Sequence, residues 1–325
     1  MIDNGSSGFA PLCDGALMSV IDEDVQKLRG SAPCPFGEMS TSLRSRCMPV
    51  LITVDQLARD LEASRPPVIL DVRWRLDRPD GTLEYRAGHI PGAVYVDLDR
   101  ELAEPGDPRD GRHPLPSMES LQASARAWGI NQGDSVVVYD DLMNLSSARA
   151  WWLLRWAGIA DVRLLDGALR AWVAAGRPLE RGEAHPIPGD VTLTPGHLPT
   201  VDIDGAAAFP SHGILLDARA RERYRGDVEP IDARAGHIPG AVSAPTPENL
   251  GPDGLFRNAD ELRARFAHLG VTDASPVAIY CGSGVTAAHQ AAALTIAGFS
   301  PALYVGSWSQ WSNHSERPVA TGDLP

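Results

Sequence analysis

Short apolar runs rich in β-branched residues alternate with longer segments of helical apolar spacing along most of the chain. The short runs predict buried strands, and the longer segments predict helices. The predicted strands are residues 68–72, 136–139, 162–165, 214–218, 277–280 and 302–305. The predicted helices are residues 55–63, 118–128, 146–157, 259–269 and 286–297. Alternation of this kind predicts an α/β fold, in which a parallel sheet is flanked by helices on both faces.

The pattern occurs twice. The sequence Leu-Asp-x-Arg begins at Leu70 and again at Leu216. The block Gly-His-Ile-Pro-Gly-Ala-Val begins at Gly88 and again at Gly236. Seven matching positions in a row indicate two copies of one domain rather than a chance similarity.

The repeats divide the chain into four parts. Residues 1–47 are rich in Gly, Ser and Pro and lack apolar periodicity, so that we expect a disordered N-terminal extension. Residues 48–185 form the first copy and residues 201–325 the second. Between them, residues 186–200 contain four prolines, which predicts a semi-rigid linker.

Composition excludes several classes of function. The net charge is −13 and no basic stripe interrupts it, which argues against nucleic acid as a partner. No apolar run approaches membrane-spanning length. The four cysteines show no Cys-x-x-Cys spacing, so we expect no metal site and no cofactor. A reducing cytoplasm fits this cysteine content best.

Cys281 is the one cysteine after residue 47, and it stands between a predicted strand and a predicted helix. Backbone N–H groups and the helix dipole favour a thiolate there, and the thiolate is the reactive form. Gly282 and Gly284 let the loop bend around the sulfur. The N–H groups from Gly282 to Thr286, Val285 included, are candidate donors to an anion. In the first copy the matching residue is Asp140, which cannot act as a sulfur nucleophile.

The paired blocks and the sequence Cys-Gly-Ser-Gly-Val-Thr-Ala resemble the tandem-domain rhodanese family of sulfurtransferases, over about residues 50 to 318. The resemblance implies two tandem rhodanese-like domains, of which the first is inactive. It also implies that Cys281 accepts a sulfane sulfur as a persulfide. The loop is similar to that of members that use 3-mercaptopyruvate, because Gly282 and Ser283 stand where thiosulfate-preferring members carry Arg and Lys. The expected acceptor is a thiol, cyanide or a thioredoxin-like protein, and the alternative donor is thiosulfate.

The resemblance also implies roles for side chains around Cys281. Ser283 would join a histidine and an acidic residue in a proton relay, with His89 as the histidine. Asp77 and Asp80 are both candidates for the acidic residue. His237 occupies the same position in the second copy, so that both imidazoles are alternatively interpreted as loop-fixing groups.

Two arginines are candidates for binding an anionic donor. Arg223 matches a substrate-binding arginine of the family. A second family arginine follows a Glu-Pro pair, and this chain has Ile231 there, so Arg234 is the expected substitute. A phosphatase with a Cys-x5-Arg loop is disfavoured, because the arginine position is Ala287. A purely non-catalytic binding module is disfavoured by the intact loop at Cys281.

Overall fold

Residues 49–325 are described by the computed structural model. The predicted extension at residues 1–47, with Cys13, Cys34 and Cys47, lies outside the described residues. Along the described chain, two parallel sheets follow one another, each with helices on both faces. None of the helices in residues 49–325 is long and apolar enough to cross a membrane.

The first sheet has the strand order β1-β5-β4-β2-β3, and neighbouring strands are parallel. Its strands are β1 (Leu51–Ile52), β2 (Val68–Asp71), β3 (Val94–Tyr95), β4 (Val136–Tyr139) and β5 (Val162–Leu165). The helices of this copy are α1 (Val54–Leu61), α2 (Thr82–Ala87), α3 (Leu98–Glu101), α4 (Met118–Ala127), α5 (Ser147–Trp156) and α6 (Ala168–Ala174).

The second sheet repeats this order as β6-β10-β9-β7-β8, again with parallel neighbours. Its strands are β6 (Thr200–Val201), β7 (Ile214–Asp217), β8 (Val242–Ser243), β9 (Val277–Tyr280) and β10 (Ala302–Tyr304). The helices of this copy are α7 (Ile203–Ala208), α8 (Arg221–Arg225), α9 (Ala259–His268), α10 (Thr286–Ile296) and α11 (Ser307–Asn313). The matching strand orders confirm the predicted duplication and the α/β fold.

The repeated sequence motifs have one structural role in both copies. In the first, the buried Arg73 pairs with Asp71 at 2.6 Å and donates to the carbonyl of Gly88 at 2.7 Å. In the second, Arg219 pairs with Asp217 at 2.6 Å and donates to the carbonyl of the matching glycine at 2.6 Å. Each arginine therefore ties the end of a central strand to the loop that carries the Gly-His-Ile-Pro block.

The two copies meet through α5 and α10, which pack against each other. Buried side chains of both helices, among them Trp151, Trp152, Ala288 and Leu294, belong to one continuous apolar core. Each helix begins just after the loop that ends a central strand, β4 or β9. The loop at Asp140 and the loop at Cys281 therefore both lie beside this interface.

Candidate active site

Cys281 lies at the carboxyl end of β9, where ligands bind in open parallel sheets. Its sulfur accepts a hydrogen bond from the N–H of Gly284 at 3.1 Å, and the residue is only 1% exposed. The N–H of Cys281 donates to the hydroxyl of Ser307 at 3.2 Å, and its carbonyl accepts from the N–H of Trp308 at 3.0 Å. Contacts from the start of α11 thus fix the backbone on both sides of the sulfur.

Gly284 gives this loop its shape. Its φ is +77°, and a Cβ at this position would lie 2.4 Å from the carbonyl oxygen of Val305. Any other residue would force the loop away from Val305 or turn the peptide. Because residue 284 has no side chain, its backbone can adopt this φ. In this conformation the N–H of Gly284 points at the sulfur.

A cavity of about 570 Å³ opens over the loop, and Gly282, Ser283, Val285 and Thr286 line its floor. Its walls come from both copies and are largely apolar. The first copy contributes Trp74, Leu76 and Leu145, and the second contributes Ile231, Pro245 and Pro247. The cavity is thus built across the domain interface, with Cys281 on one side only.

A hydrogen-bonded chain of three side chains joins the loop to the first copy. Ser283 Oγ lies 2.8 Å from Nδ1 of His113, and Nε2 of His113 lies 3.0 Å from Oδ1 of Asp99. The Trp74 ring stands edge-on to the imidazole, with the ring centres 5.3 Å apart. Both nitrogens of His113 are therefore engaged, one with the hydroxyl beside Cys281 and one with a carboxylate.

This arrangement corrects the prediction that His89 partners Ser283. His89 is buried and its Nδ1 bonds the carbonyl of Tyr85 at 2.9 Å, while its ring stacks on the Tyr85 ring. His237 makes the same two contacts with Tyr224 in the second copy. The alternative interpretation, that both histidines fix a loop, is the one that the contacts bear out.

The predictions of Asp77 and Asp80 as the acidic partner are also corrected, because Asp99 pairs with His113. Asp80 accepts from the N–H of Thr82 at 2.9 Å, at the start of α2, and Asp99 occupies the position beside the relay histidine. The ring nitrogens of His113 bond to Ser283 and Asp99, and Asp77 is not one of their partners.

Burial lowers the pKa of His113 below its ordinary value, and the charges of Arg149 and Arg112 act in the same direction, while Asp99 opposes them. The hydrogen bond from His113 lowers the pKa of Asp99. At neutral pH the imidazole is therefore neutral and Asp99 is ionised. A carboxylate only accepts, so Nε2 carries the proton and Nδ1 accepts from the Ser283 hydroxyl.

Two guanidinium groups flank the loop at Gly282. A Cβ on Gly282 would lie 3.5 Å from Nη1 of Arg223 and 3.1 Å from Nη2 of Arg112. Arg223 pairs with Glu229 at 2.7 Å and with Asp232 at 2.9 Å, and Arg112 pairs with the same Asp232. The structure thus brings the predicted Arg223 to the loop, together with an arginine that sequence reasoning missed.

Arg234 does not lie with them, which corrects its predicted role. Its guanidinium donates to the backbone carbonyls of Trp311, Ser312, His314 and Arg317, at 2.7 to 3.0 Å. These four bonds hold the end of α11. Arg112, supplied by the first copy, stands where a second cation was expected.

The matching loop of the first copy is already filled by its own side chain. The fully buried carboxylate of Asp140 accepts four backbone N–H groups at 2.8 to 3.0 Å, those of Leu142, Asn144, Ser146 and Ser147. Burial raises the pKa of Asp140, and the four N–H groups oppose that rise. A loop of this type therefore has the donors to hold a small anion.

Comparison with known proteins agrees with this geometry. Residues 53–175 and 204–314 both match the rhodanese-like domain. A Mycobacterium tuberculosis protein described as a putative thiosulfate sulfurtransferase, SseB, is 50% identical over 276 residues, covering 84% of this chain and 97% of its own. A Pseudomonas aeruginosa protein described as a probable 3-mercaptopyruvate sulfurtransferase is 48% identical, covering 84% of this chain and 98% of its own.

A solved structure shares the whole architecture. The crystal structure of SseA from Escherichia coli, described as a 3-mercaptopyruvate sulfotransferase, superposes with a TM-score of 0.70 at 32% identity. The match covers 80% of this chain and 99% of that one. The chain therefore belongs to the rhodanese-like family, with two copies of its domain. It is a sulfurtransferase, an enzyme that takes sulfur from a small-molecule donor and passes it to an acceptor.

Proposed function

We propose that this enzyme moves the sulfur of 3-mercaptopyruvate to a thiol or cyanide through a persulfide on Cys281. The observation that carries the proposal is the Asp99–His113–Ser283 chain, which ends beside the nucleophile. A donor whose C–S bond must break leaves a carbanion equivalent that needs a proton, and a relay of this kind supplies one. Thiosulfate, whose leaving group is sulfite, has no such need.

In the first half-reaction, the donor carboxylate binds between Arg112 and Arg223. The Cys281 thiolate attacks the donor sulfur, so that an S–S bond forms and the C–S bond breaks. The thiol proton passes through Ser283 to Nδ1 of His113, and the imidazolium is stabilised by Asp99. The same proton returns through Ser283 to the methylene carbon, which leaves as the methyl group of pyruvate. The net products are the Cys281 persulfide anion and pyruvate.

In the second half-reaction, a thiol attacks the outer sulfur. The S–S bond to Cys281 breaks, the acceptor leaves as a hydropersulfide, and the thiolate is restored. Cyanide would leave as thiocyanate by the same attack. The acceptor, including an exposed cysteine of a thioredoxin-like protein, would approach the persulfide through the cavity of about 570 Å³. Because the cycle needs a reduced thiol, we propose a reducing cytoplasm as its compartment.

Thiosulfate is the second candidate donor. The observation in its favour is the pair of guanidinium groups at Gly282. Two cations stabilise a bound dianion, whichever copy of the domain supplies them. The Mycobacterium tuberculosis relative is also described by this donor.

The test is a side-by-side measurement of kcat/KM with both donors. We expect a higher value for 3-mercaptopyruvate, and we expect Arg112→Ala and Arg223→Ala each to raise its KM by roughly 10- to 100-fold, as loss of a charge-assisted hydrogen bond does. Arg225→Ala is the matched control: it lies on the same helix but pairs with Asp227 at the surface, so its KM should stay unchanged.

Two outcomes separate the parts of the proposal. A higher kcat/KM with thiosulfate would refute the assignment of the donor but leave the nucleophile intact. Turnover by Cys281→Ser with either donor would refute the persulfide mechanism itself.

A further inference from the structure

Asp232 is a carboxylate that contacts both of the arginines at Gly282. Its Oδ2 accepts from Nη2 of Arg223 at 2.9 Å, and its Oδ1 accepts from Nη1 of Arg112. The Asp232 side chain is only 2% exposed, and it joins an arginine of the first copy to an arginine of the second. The proposed reaction makes no use of this buried negative charge.

The two guanidinium groups present different atoms to the carboxylates and to the loop. Nη1 of Arg112 donates to Asp232, and Nε and Nη2 of Arg223 donate to Glu229, with Nη2 shared with Asp232. The atoms nearest to a Cβ on Gly282 are the remaining ones, Nη2 of Arg112 at 3.1 Å and Nη1 of Arg223 at 3.5 Å. The carboxylates therefore hold each guanidinium with its other Nη toward the loop.

The carboxylates lie behind the arginines as seen from the cavity. The cavity lining includes Arg112 and Arg223, but neither Asp232 nor Glu229. The Glu229 side chain is 3% exposed, so that it is buried as deeply as Asp232. A bound anion would therefore touch the guanidinium groups, and the carboxylates would act on it through their charge rather than by contact.

The ion pairs around Asp232 form one cluster with as many carboxylates as arginines. Its members are Arg112, Arg219, Arg223, Asp217, Glu229 and Asp232. Burial raises the pKa of Asp232, and the charge of Arg112 opposes that rise. A carboxylate that accepts hydrogen bonds from two guanidinium groups is favoured in its ionised form. With its carboxylates ionised, the cluster has no net charge, although two cations face the cavity.

We propose that Asp232 sets the charge selectivity of the donor site, so that a donor with one negative charge is favoured over a dianion. Its charge offsets part of the attraction of the two guanidinium groups, and its repulsion acts twice as strongly on a dianion as on a monoanion. The inference rests on the proposed binding of the donor between Arg112 and Arg223. Asp232 determines specificity through these arginines and does not touch the donor.

The test measures the binding of two anions in the absence of a sulfur donor. Isothermal titration calorimetry near neutral pH and at constant ionic strength gives the Kd of sulfate, a dianion, and of pyruvate, a monoanion. Asp232→Asn keeps the shape of the side chain and removes its charge, so we expect the ratio of the sulfate Kd to the pyruvate Kd to fall roughly tenfold. Asp227→Asn is the matched control, because Asp227 pairs with Arg225 at the surface, and its ratio should be that of the original chain.

A second variant keeps the test decisive. If Asp232→Asn is insoluble, Glu229→Gln removes the other carboxylate that pairs with Arg223, and the ratio should fall in the same direction. An unchanged ratio in a soluble variant would overturn the proposal. A soluble variant that binds neither anion would overturn it as well, because the carboxylate would then serve only to place the arginines. Since no sulfur is transferred, this result is independent of the comparison of kcat/KM that tests the proposed donor, and either can fail alone.

Discussion

At the residue scale, the proposed reaction at Cys281 depends on side chains from both copies of the domain. Ser283 is its neighbour in sequence, but His113 and Asp99 come from the other copy of the domain. The neutral imidazole is the working form, because only its free Nδ1 can accept the hydroxyl proton. The pH dependence of the enzyme should therefore report the state of His113.

We expect the acid limb of kcat/KM for 3-mercaptopyruvate to lie below pH 6.5, the ordinary value that burial lowers in His113. As the pH falls through the lowered pKa, the imidazole becomes protonated and the relay is lost. Ser283→Ala and His113→Asn should each lower kcat by on the order of 100-fold. Steady-state rates between pH 4.5 and 9 measure both effects.

His89→Asn is the control for this prediction. It removes the ring that stacks on Tyr85, so we expect a lower melting temperature with the acid limb in place. The relay assignment fails if His89→Asn moves the acid limb and His113→Asn leaves it unchanged.

At the scale of the elements, the loop between β9 and α10 carries Cys281, and Gly284 sets the shape of this loop. Gly284→Ala would place a methyl group 2.4 Å from the carbonyl of Val305 and strain a residue at φ +77°. We expect this variant to melt at a lower temperature and to lose most of its turnover, since the N–H of residue 284 would no longer reach the sulfur. Thermal unfolding and kcat test it together.

Gly92→Ala separates the two causes. Gly92 also has φ +77°, but a Cβ there meets nothing within 4 Å. It should therefore show only the backbone cost of a left-handed alanine, about 1 to 2 kcal/mol, with kcat unchanged. Equal losses in the two variants would mean that crowding at Val305 has no part in shaping the loop.

The elements also show how far the sequence can be read. The six predicted strands and five predicted helices are present to within two residues at either end, because each is long enough to show its period. The strands β1, β3, β6 and β8 have two residues each, too few for any alternation to be detected. Their partners in the sheets, rather than their own sequences, make them strands.

The same limit applied to the site. Cys281, Gly284, Ser283 and Arg223 were predictable because the loop and α8 carry local motifs. Sequence patterns did not indicate Asp99, Arg112 or His113. Asp99 lies on the four-residue helix α3, and the other two lie in residues 102–117, where the sequence has no helical or strand periodicity. A histidine in Gly-His-Ile-Pro was the more visible candidate, yet its repetition in both copies was the sign of a structural residue. Contacts across an interface leave no spacing in the sequence.

At the scale of the whole molecule, the copy that lacks Cys281 is part of the proposed active site. It supplies Asp99, His113 and Arg112, while the other copy supplies Cys281, Ser283 and Arg223. The predicted linker is also attached to the first copy, since the N–H groups of Gly189 and Val191 donate to carbonyls at the end of α4 and just beyond it. The relative placement of the two copies therefore sets the catalytic geometry.

Every residue of the proposed site lies within residues 49–325. We therefore expect a chain that starts at Met48 to keep the kcat/KM and melting temperature of the full chain. Purification of both forms, followed by thermal unfolding and steady-state kinetics, makes the comparison. A truncated protein that is insoluble, or that loses activity, would show that residues 1–47 contribute to the fold or the site.

The Asp140 loop has a consequence for stoichiometry. Four N–H groups of the first copy are bonded to the carboxylate of Asp140, whereas in the proposed cycle the loop at Cys281 gains and loses one sulfur atom in each turnover. Within residues 49–325, duplication of the domain has therefore not doubled the number of sulfur carriers: in the proposed cycle these residues carry one sulfur atom, on Cys281.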